Sequence, residues 1–239
     1  MGEAEKHFPR VTVSHFLRVN KIIREESVSK EEFILHGKAR GDCFRLLAAC
    51  FYLPQKDIFI GENLFKNLTD SLKEVDPEAA AFSNEMEKAF LQYTDEELAV
   101  EYAKLFVGPF ELKAPPYGSV YLDEGRRVMG DSTMEVIKMY EEEGLSRDSE
   151  FNDLPDHIAV ELEFMNYLIF REVEALQKSD LKNAMEFLDK QEVFLNTFLR
   201  RWVPAFCERI KQGTENKFYT ALSDCVSKFL MDSYIEISV

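Results

Sequence analysis

The chain has 239 residues and a formal net charge of −15, with 20 Phe and 8 Met against only 10 Gly and 8 Pro. Acid spread along its whole length disfavours nucleic acid and anionic lipid surfaces as partners and favours cationic ones. So few turn formers exclude a turn-rich β-fold, and the length suffices for one large helical domain with its own core.

The four cysteines, Cys43, Cys50, Cys207 and Cys225, contain no C-x-x-C pair. Cys43 and Cys50 would stand ~10 Å apart on a helix, beyond disulfide reach, so reduced and buried thiols are expected. Residues 1–10 carry neither an apolar h-region nor a cleavage site, and Lys6 stands where a myristoylation signal needs Ser or Thr. No apolar run approaches the ~20 residues of a membrane span. A cytoplasmic protein without membrane insertion is expected.

In chain order, Phe16, Leu17, Ile22 and Ile23 fit one short amphipathic helix within residues 1 to about 28. Ser29 with Glu32 spells a capping box for a helix running through Phe33, Phe44, Leu47 and Phe51 to Leu53, where Pro54 stops it. A shorter helix is expected over 56–70, and another from Pro77 to Tyr93 with the proline in its first turn. Thr94 with Glu97 is a second capping box, for a helix that places Leu98, Tyr102, Leu105 and Phe106 on one face and ends at Gly108-Pro109.

The stretch 109–120 then holds three prolines and reads as a stiff loop. A short helix is expected within 119–129, and another, capped by Asp131 or Ser132, through Met134, Ile137 and Tyr140 to Gly144. Pro155 is expected to open a long helix with Ile158, Leu162, Met165, Leu168, Ile169, Val173 and Leu176 at the helical period. Helices over 181–211 and 215–236, parted at Gly213, complete an all-α, single-domain bundle of roughly nine to eleven helices.

Two places mix residues suited to binding. Tyr102, Leu105 and Phe106 share a face just before the rigid Ala114-Pro115-Pro116-Tyr117 loop, which holds Tyr117 and Tyr121 at small entropic cost, as a surface gripping an apolar peptide requires. Asp156 and His157 fall in the first turn of the long helix, where the dipole favours the carboxylate and the pair suits a guanidinium. Each also has a plain structural role, as core packing, connector or dipole partner. His157, Glu161 and Glu163 are close in sequence, but no H-E-x-x-H or E-x-x-H occurs and His7, His15 and His36 lie far off, so no metal is expected. Nucleotide-binding Gly-rich loops are absent.

These blocks carry a resemblance. Tyr102-x-x-Leu105-Phe106-x-Gly108-Pro109 with Pro116-Tyr117-x-Ser119-Val120-Tyr121, and then Pro155-Asp156-His157-Ile158-x-x-Glu161-Leu162-x-Phe164-Met165, are similar to the two signatures of the TorD/DmsD/NarJ family. Its members are cytoplasmic chaperones that mature molybdenum-cofactor oxidoreductases. The resemblance implies a helical chaperone domain over 36–239 behind an extension of residues 1–35. It also implies binding of a partner's twin-arginine leader peptide, protection of the apo form of a molybdopterin oxidoreductase subunit, no cofactor of its own, and a monomer or homodimer.

Carried over by position, the peptide-binding residues are Tyr102, Leu105, Phe106, Pro116, Tyr117, Ser119, Tyr121, Asp156 and His157. The chain departs from the common pattern at Leu154, where Glu often precedes Pro-Asp-His, at Tyr117, where some members have Trp, and at Gly118, where Glu is frequent. Two rival expectations are a metal-dependent or hydrolytic enzyme using Asp156, His157 and Glu161, and a helical adaptor without leader specificity.

Overall fold

Side chains that accept backbone N–H groups start most of the helices, as local signals predict. The computed structural model describes residues 29–108, 112–125, 127–146 and 153–232. The helix expected around Phe16 to Ile23, and the stop assigned to Pro109, lie outside the described residues. Ser29 and Glu32 form the reciprocal capping box of α1 (Lys30–Ala49), at 3.2 and 2.6 Å. This helix ends before Pro54: the N–H groups of Cys50 and Phe51 turn back to the carbonyls of Leu47 and Ala48, and Phe51 swings into the core.

The single helix expected over 56–70 is two, α2 (Lys56–Gly61) and α3 (Leu64–Val75), because Asn63 takes φ 53° between them, a geometry Asn tolerates. Asp76 accepts from the N–H groups of Glu78 and Ala79 to start α4 (Pro77–Gln92). The Thr94–Glu97 box opens α5 (Asp95–Tyr102), which widens into a π turn over Ala103–Val107. Gly108 closes it at φ 93°, a geometry open to glycine at little cost, and donates its N–H to the Ala103 carbonyl at 2.8 Å.

After the proline loop, α6 spans only Ser119–Leu122. Gly130, and neither Asp131 nor Ser132, holds the cap position of α7 (Asp131–Glu142). There the acceptor comes from outside the helix: the Asp123 carboxylate receives the Ser132 N–H at 3.2 Å and its hydroxyl at 2.8 Å. The long helix α8 (Ile158–Gln177) starts three residues later than Pro155. Beyond it, α9 (Leu181–Phe194) passes through a second π turn, Leu195–Leu199, into α10 (Arg200–Gly213), and α11 (Lys217–Asp232) follows.

These are eleven α-helical segments among the described residues, with no strand. Helix α8 runs through the middle, packed by α1 on one side and α9 on the other, while α4 packs on α3 and α11. Aromatic rings dominate the core: Phe59, Phe65, Phe90 and Phe218 meet at 5.0 to 6.0 Å, and Phe106 touches both Phe206 and Tyr219. One ion pair is buried there, Arg40 with Glu172 at 2.6 Å, and Gln191 bonds both, pinning α1, α8 and α9 in register. All four cysteines are buried and unbridged, and burial pushes the Cys207 thiol up to about 12. No helix among the described residues is long and apolar enough to cross a membrane.

Candidate functional site

The two sequence blocks meet in space. The Ile158 N–H donates to the Pro116 carbonyl at 2.9 Å and the Gly118 N–H to the Asp156 carbonyl at 2.8 Å, making a one-residue antiparallel bridge between Tyr117 and His157. Asp156 lies in the turn before α8, outside its first turn, and its carboxylate accepts the Ser119 N–H at 2.8 Å. His157 takes the helix cap instead: its Nδ1 accepts the Ala159 N–H at 3.2 Å. Burial lowers the His157 pKa, against the pull of Asp153 and Asp156. A neutral ring suits that position, where a cation would oppose the helix dipole and lose the lone pair that caps the helix.

This stitch is interior. Leu105, Phe106, Pro116, Ser119, Asp156 and His157 are all buried, the last two at 1% and 2% exposure. Leu105 and Phe106 belong to the hydrophobic core. Tyr102, Tyr117 and Tyr121 are half-buried, but they do not share one surface. Tyr121 stacks on Trp202 at 5.5 Å and gives its hydroxyl to the Pro115 carbonyl, facing α10. Tyr117 meets the His157 ring edge-on at 5.5 Å, and Tyr52 stacks against that ring at 6.3 Å.

The charge of Asp153 acts on all three of Tyr52, Tyr102 and Tyr117. Burial, then the charges of Glu163 and Asp153, push the Tyr52 hydroxyl up; burial and then Asp153 raise Tyr102, to about 12, and Tyr117. Tyr52 donates to Glu163 at 3.0 Å, and burial raises the Glu163 carboxyl although that bond opposes it. Asp153 and Glu163 also line a cleft of about 520 Å³ between α7 and α8. Ile137, Tyr140, Leu145, Val160, Phe164 and Tyr167 form its apolar wall, Glu141 adds a third acid, and among the described residues no Lys or Arg lines it. A tyrosine patch, an acidic divide and an apolar cleft thus lie side by side. Such a surface can hold a cationic group over the divide with an apolar segment beside it.

Tyr52, Asp153 and the cleft were missed by sequence reasoning. A signal existed: Val160, Glu163, Phe164 and Tyr167 repeat at helical spacing on a second stripe of α8, beside the core stripe of Ile158, Leu162 and Met165. No comparable signal marks Tyr52 or Asp153, which reach the site from a turn and a loop. The carboxylate and imidazole expected to act together are each committed to a backbone N–H, so they are not aimed at a shared ligand or substrate. Among the described residues no group of three His, Cys, Asp or Glu could hold a metal ion.

Comparison with known proteins places this geometry in a family. The family model described as nitrate reductase delta subunit matches residues 72–208. Chaperone protein TorD of Photobacterium profundum is 29% identical over 201 residues, covering 80% of this chain and 90% of that protein. The TorD of Vibrio parahaemolyticus is 31% identical over 133 residues, 56% of this chain and 60% of its own length. A solved structure described as a redox enzyme maturation protein, from Archaeoglobus fulgidus, aligns over 81% of this chain and 93% of its own at 22% identity and TM-score 0.49. The chain belongs to the nitrate reductase delta subunit family, and its curated relatives are TorD chaperones.

Proposed function

We propose that this protein is a cytoplasmic chaperone that binds the twin-arginine leader and the apo form of a molybdenum-cofactor oxidoreductase subunit and assists its maturation. Family membership supports the chaperone role. The observation that carries the leader is the apolar α7–α8 cleft lined by Asp153 and Glu163, with Tyr52 donating to Glu163 and both Tyr52 and Tyr117 packed on the His157 ring beside it.

Arginine side chains of the leader pair with Asp153 and Glu163, where a half-desolvated carboxylate binds a guanidinium more firmly than at an open surface. The leader's hydrophobic segment fills the cleft against Ile137, Val160 and Phe164. Leu105, Phe106, Pro116, Ser119, Asp156 and His157 act from below, fixing Tyr102 and Tyr117 in place. The net charge of −15 steers the cationic end of the leader toward the protein, an attraction that fades as salt rises.

A leader peptide carrying a photo-cross-linker in its hydrophobic segment tests the placement. Cross-links are expected on α7 and α8 around Ile137 and Val160. Cross-links confined to the Tyr121 and α10 side would refute it.

A further inference from the structure

Beneath the tyrosine surface sits a polar cluster that the peptide reading leaves unused. Glu161 is 0% exposed and Asp156 1%. The Trp202 indole N–H donates to Glu161 Oε2 at 2.9 Å, and the Ser119 N–H donates to Asp156 Oδ2. Among the described residues no donor reaches Glu161 Oε1, Asp156 Oδ1 or the Ser119 hydroxyl. Gly118 marks how tightly the cluster is closed: a Cβ there would stand 3.1 Å from Glu161 Oε1 and 3.2 Å from Trp202 Nε1.

The groups facing Glu161 come from every neighbouring element. Helix α10 offers Trp202 and the turn before α8 offers Asp156, while the Tyr140 phenol of α7 donates to the Pro155 carbonyl at 3.0 Å. His157, one residue on from Asp156, is held neutral as described. On the α10 side the Arg209 guanidinium lies over the Tyr121 ring at 6.0 Å, and its Nε donates to the Lys113 carbonyl at 3.0 Å. No described cation forms an ion pair with either buried carboxyl.

A carboxyl closed off from water with no described cation paired to it resists ionisation. Burial drives the Glu161 carboxyl well above the ordinary range, and the charge of Asp156 adds to this, while the Trp202 hydrogen bond opposes it. Glu161 therefore holds its proton to higher pH than an ordinary glutamate.

We propose that Glu161 is a positioning residue for the peptide surface: as a neutral acid it seats the Gly118–Ser119 segment on α8 and α10, and losing that proton releases the Tyr117 wall. The functional half of this rests on the peptide reading, whereas the proton itself can be tested on the protein alone. The sign is fixed by the raised carboxyl. Its contribution is complete below the ordinary carboxylate range and is lost as pH rises through the raised value.

Trp202 is the only tryptophan in the chain, so its emission reports on its Glu161 partner. In wild type, one glutamate carboxyl labelled with ¹³C should show the shift of a neutral acid at pH 7, and Trp202 emission should titrate together with it on the alkaline side. Both signals should vanish in Glu161→Gln, which keeps an acceptor for the indole and cannot ionise. A wild-type protein whose glutamates all titrate in the ordinary range would overturn the proposal without any variant.

For binding, the probe is a synthetic twin-arginine leader peptide. Wild-type affinity should be about tenfold weaker one pH unit above the midpoint, since only the protonated fraction is competent. Glu161→Gln should match wild type at pH 7 and keep its affinity at the higher pH. Equal pH profiles in the two proteins would remove the positioning role while leaving the peptide reading intact. No leader binding at any pH would remove the peptide reading and the functional half, and the carboxyl titration would still decide the proton.

Discussion

The turn that joins the two sequence blocks and the cleft beside it are built from opposite materials. In the turn, Ser119, Asp156, His157, Glu161 and Trp202 are buried, and four of their polar groups are spent on one another or on backbone N–H groups. In the cleft and its tyrosine rim, Tyr52, Tyr102, Tyr117 and Glu163 are only partly covered, and among the described residues the charged groups lining the cleft are acids. The comparison teaches that the buried motif residues act as a frame. In the proposed reading the residues that meet a ligand are the half-buried Tyr102 and Tyr117 of the motifs together with Tyr52, Asp153 and Glu163 beside them.

The largest effect should come from breaking the frame. Trp202→Ala leaves a cavity where indole packed on Tyr121 and Phe206 and strips Glu161 Oε2 of its donor. The expected loss is about 3–5 kcal/mol of unfolding free energy, read from denaturant titration. A loss below about 1 kcal/mol would mean that the frame is not a stability element.

A smaller effect separates the two regions by pH. His157 is held neutral by burial, so the unfolded chain takes up its proton first. The His157 contribution is complete above the ordinary histidine range and is lost as pH falls through the lowered value. His157→Asn preserves a capping side chain, so its melting temperature near neutral pH should stay close to wild type and fall less steeply on acidification. His157→Ala should lose about 0.5–2 kcal/mol even at neutral pH. The proposed Glu161 proton would act in the opposite sense, its contribution fading as pH rises.

What the sequence disclosed follows from how locally each feature is decided. The Ser29–Glu32 and Thr94–Glu97 boxes and Pro77 are settled within one turn of chain, and the structure has all three. The cap of α7 is settled by Asp123 arriving from another segment, and the break at Asn63 by a backbone choice that the apolar pattern does not encode. Pro155 looked like the start of α8, yet Asp156 is drawn to the Ser119 N–H and the cap passes to His157. That the two blocks form adjacent parts of one region was legible. Burial of Asp156 and His157 was not, because composition at a helix end cannot show which neighbours close over it.

The most direct test of the frame-and-contact division is calorimetry with a synthetic twin-arginine leader on three proteins at low salt: wild type, Asp153→Asn with Glu163→Gln, and Asp156→Asn. The account predicts that the first variant binds about tenfold or more weakly with an unchanged melting temperature. Asp156→Asn should instead lose about 1–2 kcal/mol of stability and bind nearly as wild type well below its melting temperature. Wild-type affinity in the Asp153 and Glu163 variant, together with abolished binding in a fully stable Asp156→Asn protein, would contradict it.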